Sequence, residues 1–133
     1  MPRADTGYIS IHHKLCAAAV LAALAVAPGA QATIITTGDV NPSIAGPGNA
    51  TTPGSLIIGQ SGTGTAEING GSIVDSGDFS VVGSGGNAGA LTVTGAGSQY
   101  NVNSGINGQP NSLFIAPQAG ASSSLQVENG GSV

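Results

Sequence analysis

From residue 33 onward this 133-residue chain contains no Lys, Arg, His, Cys, Met or Trp. Each absence closes a class of function. Without a basic side chain nothing neutralises phosphates, which disfavours direct nucleic-acid binding and attraction to an anionic membrane. Without His or Cys there is no Ser-His-Asp or Cys-His nucleophile system, no structural zinc site and no disulfide. The side chains left to ionise near neutral pH are Asp39, Glu67, Asp75, Asp78 and Glu128, all acidic. Aromatics make up 3% of the chain while glycine occurs 23 times, so there is little bulk for a helical core. A secreted fold with a thin core usually gains stability from cross-links; here it must come from backbone hydrogen bonds and close packing in a regular array.

What is present begins with a targeting device. Both basic residues of the chain, Arg3 and Lys14, lie in the first fourteen positions, and Leu15 to Ala27 then runs without a polar side chain apart from the thiol of Cys16. That run is shorter than the roughly 20 residues a membrane-spanning helix needs, and it fits the apolar region of a secretory signal. Pro28-Gly29 breaks the helix, and Ala30-Gln31-Ala32 supplies small residues at a cleavage site. Residues 1–32 are therefore read as a signal helix cleaved after Ala32. Cys16 opens the apolar run instead of closing it, which argues against a lipoprotein. No stable membrane span is expected after cleavage.

Residues 33–54 form a Gly/Pro/Thr-rich lead-in punctuated by Asn41-Pro42, Gly46-Pro47-Gly48 and Pro53-Gly54, with one short strand expected at Thr33 to Thr37. Asn49-Ala50-Thr51 matches an N-glycosylation sequon but is read as incidental. From Ser55 three segments resemble one another. Leu56-Ile57-Ile58-Gly59 leads to Ala66-Glu67-Ile68-Asn69-Gly70-Gly71-Ser72. Ser80-Val81-Val82-Gly83 leads to Leu91-Thr92-Val93-Thr94-Gly95-Ala96-Gly97-Ser98. Leu113-Phe114-Ile115-Ala116 leads to Leu125-Gln126-Val127-Glu128-Asn129-Gly130-Gly131-Ser132. Each joins an apolar triplet, a Gly or Ala, a loop of small residues, an alternating strand and a glycine turn ending in Ser. The triplet-closing residues Gly59, Gly83 and Ala116 are 24 and 33 residues apart, within the range of repeat architectures.

The alternation places apolar residues on one face and polar ones on the other, which is period two and fits half-buried strands. No segment after Ala32 has helical periodicity. Short strands joined by glycine turns suit an all-β solenoid in which each coil stacks on the one before, with aliphatic ladders inside.

Val93-Thr94-Gly95-Ala96-Gly97-Ser98-Gln99-Tyr100, followed by Leu113-Phe114-Ile115 and Val127-Glu128-Asn129-Gly130-Gly131-Ser132-Val133, resembles the repeat of autotransporter passengers of type V secretion and of PEP-CTERM proteins. The resemblance covers residues 55–133. It implies a short right-handed parallel β-helix exposed on a bacterial surface. The chain departs from that pattern at Tyr100, where Trp is frequent, at Ala116-Pro117, where Gly is usual, and at Ser122-Ser123-Ser124, which stands for a Gly-x-Gly loop. Up to Val133 there is neither a β-barrel translocator nor a Pro-Glu-Pro motif with a membrane helix and basic tail, and the chain stops inside a repeat. A truncated β-helix is the expectation, its open coil end prone to self-association.

Candidate chemistry divides into sharp and plain readings. Asp75 and Asp78 could act as acid and base on a sugar or bind calcium, or they could bond their own turn backbone. Glu67 and Glu128 read as solvated outward residues. Thr63 and Thr65, with Thr92 and Thr94, could present hydroxyls to an ice lattice, or simply suit exposed strands. Tyr100 and Phe114 could stack on sugar rings, or fill the core or a coil corner. Gly83 to Gly86 lacks the Lys and following helix of a phosphate loop. No catalytic, cofactor-binding or metal-binding residue is assigned, and the protein is not expected to be an enzyme.

The expected role is a secreted or surface-exposed structural or adhesive β-helix, with polysaccharide or host and matrix polymers as partners. The alternatives are a secreted carbohydrate-active β-helix enzyme and an ice-binding solenoid. Location is expected outside the cell or on the outer surface, with the periplasm as alternative. N-terminal sequencing of the exported chain is expected to begin at Thr33; a product that retains Leu15 to Ala27 would overturn the signal reading.

Overall fold

The computed structural model describes residues 31–103 and 112–133, and among these every regular element is a strand. The expected signal helix lies outside the described residues, apart from Gln31 and Ala32. No helix among the described residues is long and apolar enough to cross a membrane. The strands are β1 Thr33–Gly38, β2 Val40–Asn41, β3 Gly46–Pro47, β4 Ala50–Thr52, β5 Leu56–Ile58, β6 Gly64–Asn69, β7 Ile73–Ser76, β8 Ser80–Val82, β9 Gly89–Thr94, β10 Gln99–Val102, β11 Leu113–Ile115 and β12 Ser123–Glu128.

Consecutive strands from β4 onward never pair with each other. Each pairs in parallel with the strand three places later: β4 with β7 and β7 with β10, β5 with β8 and β8 with β11, β6 with β9 and β9 with β12. Parallel neighbours need a long crossover, and here the two intervening strands of the same unit supply it. The result is three sheets, ordered β12-β9-β6-β1-β3, β10-β7-β4 and β11-β8-β5-β2. The all-β class expected from the alternation is what the described residues adopt.

Register turns the alternation into inward-facing rows. Ile34, Ile68, Val93 and Val127 are successive partners across β1, β6, β9 and β12, as are Ala66, Leu91 and Leu125 across the last three of these strands. Ile58, Val82 and Ile115 form a third row, and Val74 lies between Ala50 and Tyr100 in a fourth. Leu56, Ile68, Val74, Leu91 and Val93 are wholly buried. Each fully buried aliphatic side chain contributes about 1.5–3 kcal/mol.

The core also holds a directed chain of hydroxyls. The Tyr100 phenol donates to Ser80 Oγ, Ser80 Oγ donates to Ser76 Oγ at 3.0 Å, and Ser76 Oγ reaches the carbonyls of Asp78 at 3.1 Å and Gly54 at 3.2 Å. Thr52, the partner of Ser76 on β4, donates to the same Gly54 carbonyl at 2.9 Å. Every hydroxyl in this chain therefore has a partner, as buried polar groups require. Burial pushes the Tyr100 phenol above its ordinary pKa, an effect the Ser80 and Ser76 hydrogen bonds oppose. One buried hydroxyl stands apart: Ser72 Oγ has no hydrogen-bond partner among the described residues. Its counterpart Ser98 Oγ accepts from the Gly71 amide at 3.0 Å, one unit below. One unit below Ser72 stands Gly46-Pro47-Gly48, whose Pro47 has no amide N–H to donate, and Asn49 Oδ1 accepts from the Ile73 amide at 2.8 Å.

The expected lead-in is more ordered than its composition implied. Its predicted strand, Thr33 to Thr37, is β1, one residue longer, and three further strands follow within residues 33–54. β1 lies antiparallel on β6 along its whole length, from Thr33 opposite Asn69 to Gly38 opposite Gly64, and β2 lies antiparallel on β5. β4 already belongs to the parallel array. Ile34 and Ile44 are the reason, since both are buried against the first unit. Asp39 fastens this cap: its Oδ2 accepts from the amides of Ser61 and, at 3.2 Å, Gly62. The Ser61 amide is the main cause that holds the Asp39 carboxyl below its ordinary 3.8; slight desolvation opposes it, and the Gly62 and Gln60 amides add to it.

The corner after each triplet uses the left-handed backbone region. Gly59 has φ 78° and Gly83 has φ 76°, whereas Ala116 adopts φ 49° with a side chain attached. The corner amides of Gly83 and Ala116 donate to the preceding triplets, to Ile58 O at 2.7 Å and Val82 O at 2.9 Å, so the turn recurs despite the residue change.

Two outcomes are expected. Ala116→Gly should stabilise the fold by about 1 kcal/mol, because an L side chain in the left-handed region costs about 1–2 kcal/mol and glycine loses part of that gain to chain entropy; unchanged or lower Tm would contradict it. Because the folded pKa of Asp39 is depressed, its contribution is present above pH 3.8 and is lost as pH falls through the lower folded value. Acid titration of unfolding should show that loss in the native chain and a shallower one in Asp39→Ala.

Candidate functional site

The three-residue strands β5, β8 and β11 turn their first and third residues inward, so the middle residue of each apolar triplet points out. Register aligns these middle residues: Ile57 pairs with Val81, and Val81 with Phe114. The outside of this sheet is consequently an apolar row, ending in Phe114, which is 46% exposed. The Phe79 ring, in the turn before β8, meets Phe114 edge-on at a centroid distance of 6.2 Å and an interplanar angle of 75°. That is a favoured aromatic geometry, and it holds the exposed ring in one orientation.

The sheet of β6, β9 and β12 carries a different outer surface. Glu67, Thr92 and Gln126 are successive partners, as are Thr65, Ala90 and Ser124. Amides and hydroxyls tie the surface together: Asn69 Nδ2 donates to Glu67 Oε1 at 2.9 Å, Gln126 Nε2 to Glu128 Oε2 at 3.1 Å, and Asn129 Nδ2 to Thr94 Oγ1 at 3.1 Å. A shallow groove of about 840 Å³ crosses the end of this face, lined in part by Thr33, Ile35, Glu67, Asn69, Thr94 and Asn129. The third sheet presents Asp75 beside Asn101, whose Nδ2 donates to Asp75 Oδ1 at 2.9 Å.

Against this geometry the candidate residues separate. Asp78 Oδ1 accepts from the next amide, Phe79, at 2.8 Å, which is the turn role, while Asp75 is engaged by Asn101. Among the described residues no three acidic side chains come together as a metal-binding group. Glu67 and Glu128 face outward, as expected for solvated strand positions. The threonine pairs do not form a lattice: Thr65 meets Ala90, and Thr92 meets Glu67, so the pairs are out of step by two residues. In the glycine loop, the Gly83 amide is bonded to Ile58 O at 2.7 Å and the Ser84 amide to Gly59 O at 2.9 Å, so these donors are not offered to a phosphate. Asn49 of the sequon spends its side-chain oxygen on Ile73.

Tyr100 and Phe114, weighed together as aromatics, have opposite fates. Tyr100 is 1% exposed and fills the core, whereas Phe114 lies on the outside; the core-filling expectation is corrected for Phe114. Sequence reasoning passed over Phe79, and it did not separate the middle residue of each apolar triplet from its neighbours. The signal that distinguishes the middle residue was available in the strand period itself: in a three-residue strand with both ends inward, the centre points out.

All charges on the described surface are acidic. A polyanionic ligand is therefore repelled, while a neutral polymer meets an apolar row and hydroxyl and amide faces. No family profile matches this chain, and it matches no curated protein and no solved structure.

Proposed function

We propose that the chain is a secreted or surface-exposed structural and adhesive segment of bacterial passenger type, in which the three-strand units continue as a right-handed parallel β-helix. The parallel pairing of each strand from β4 to β9 with the strand three places later supports the helical reading, and the resemblance of residues 55–133 to passenger repeats supports the location. The observation that carries the adhesive role is the in-register outward row Ile57, Val81 and Phe114. Ile57 and Val81 are half-buried and Phe114 is exposed, so the row presents apolar surface to solvent along the sheet, and exposed apolar surface of this kind marks interaction sites. A neutral polysaccharide or matrix polymer is the partner this surface suits, its apolar sugar faces lying on the row and its hydroxyls meeting the adjoining polar faces. Binding would be spread over several units and individually weak, as repeat surfaces work.

Retention of the purified chain on immobilised neutral and anionic polysaccharides and on matrix polymers tests this. Neutral polymer should retain it best, and Phe114→Ala should weaken retention by about tenfold, equivalent to about 1.4 kcal/mol, with an unchanged circular dichroism spectrum. Retention by none of these polymers, or retention indifferent to Phe114→Ala, would overturn the adhesive role.

A further inference from the structure

Ile35, in the middle of β1, is 48% exposed. It faces out because Ile34 beside it is buried in the core, and the antiparallel register sets it directly opposite Glu67 on β6. Residues opposite each other in such a pair have Cβ atoms about 4.5–5.5 Å apart, so an apolar surface and a carboxylate stand side by side. Both line the shallow groove of about 840 Å³ on this outer face, a volume in the range of about 300–1,000 Å³ that suits small-ligand sites. Asn69 Nδ2 holds Glu67 in place by donating to its Oε1 at 2.9 Å, and farther along the groove Asn129 Nδ2 donates to Thr94 Oγ1 at 3.1 Å. Each of these bonds uses one donor of an amide group that also carries a second N–H and an acceptor oxygen. Polar groups able to bond hydroxyls therefore surround the carboxylate. Pairing of further strands along this sheet covers inward rows and leaves its outer face open, so the groove does not depend on what adjoins the sheet.

We propose that this groove binds an amino sugar of a polysaccharide, with the sugar ring on Ile35, its ammonium on the Glu67 carboxylate and its hydroxyls on Asn69, Thr94 and Asn129. Charge selects the ammonium. Glu67 is the one charged group among the described residues that line the groove, and no basic side chain stands among the described residues to compete for it. The other ionisable side chains of the described surface are acidic as well, so the field around the groove draws cations in. The polar lining selects a sugar over a lysine side chain. An alkyl ammonium would meet Ile35 and Glu67 but gain nothing from the amides and hydroxyl beside them, whereas a sugar offers a hydroxyl to each. An N-acetylated sugar keeps those hydroxyls and loses the ammonium. The groove lies on a different sheet from the row Ile57, Val81 and Phe114 and does not rest on the adhesive reading of that row.

Calorimetric titration of the purified chain with a glucosamine tetramer, its N-acetylated counterpart and tetralysine, in low-salt buffer that keeps the amines protonated, tests it. The glucosamine tetramer should bind more tightly than the other two. Glu67→Gln should weaken its binding about fivefold, the upper end of what a half-exposed ion pair supplies. Ile35→Thr, which keeps a strand-forming residue, should weaken it about threefold through lost apolar contact. Asp75→Asn removes the same charge from another sheet and should change the affinity by less than about twofold, because exposed charges at that separation are screened. Circular dichroism should be unchanged in all three variants. No binding of the glucosamine tetramer, equal binding of the N-acetylated tetramer or of tetralysine, or equal losses in Glu67→Gln and Asp75→Asn would overturn the proposal. Retention on neutral polymers and its dependence on Phe114 are read separately, so either proposal can fail without the other.

Discussion

Parallel register between strands three apart is the constraint on which the rest of this structure depends. It aligns Ile68, Val93 and Val127 into one inward row and Ile57, Val81 and Phe114 into one outward row, each through the backbone ladder of its own sheet. With no cysteine after residue 16 and no basic side chain after residue 14, neither disulfides nor ion pairs between side chains can hold residues 33–133 together. A slip of one residue would turn every inward side chain outward. The buried aliphatic rows supply the penalty that prevents it, and the hydroxyl chain from Tyr100 through Ser80 and Ser76 adds a directional lock, because its donors and acceptors match in only one register.

The corners matter as much as the strands. At Gly59 and Gly83 the backbone turns through the left-handed region in a space where a side chain would collide: a Cβ on Gly59 would lie 2.3 Å from the Ala88 carbonyl oxygen. The third unit makes the corresponding turn with Ala116, and its later glycine-turn position is taken by Asn129 at φ 51°, a residue that tolerates this region better than most. Strain therefore rises in the same unit whose inward rows are uncovered.

Much of this was legible in the residues. Alternation in Ala66 to Asn69, Leu91 to Thr94 and Leu125 to Glu128 located β6, β9 and β12, and the apolar triplets located β5, β8 and β11. Asp78 bonds the next backbone amide, as a turn residue does, whereas Asp75 lies on β7 and is engaged by Asn101. The cap was not legible, because β2 and β3 are two residues long and their contribution comes from Ile34 and Ile44 burying against a distant unit, which no local period reports. Phe114 was misjudged for a related reason. An aromatic in an apolar triplet looks like core until register shows that the middle position of each triplet faces solvent.

Exposure of an apolar side chain thus has two physical origins here, and they imply different partners. Phe114 is exposed by direction: it points away from the interior, and stacking another unit on β11 would leave its outward face open. Val127 and Ile115 are exposed by position: they point inward and lack only a neighbour on the next strand. A ligand that recognises the first kind runs across strands along a sheet's outer surface, as an extended polymer does. What covers the second kind must itself be a strand, because only a strand satisfies the free amides and carbonyls of the edge while burying the apolar row beneath it. The two surfaces meet at β11 and β12 without sharing a side chain, so the direction of a side chain and its place in the row are separate causes of its exposure.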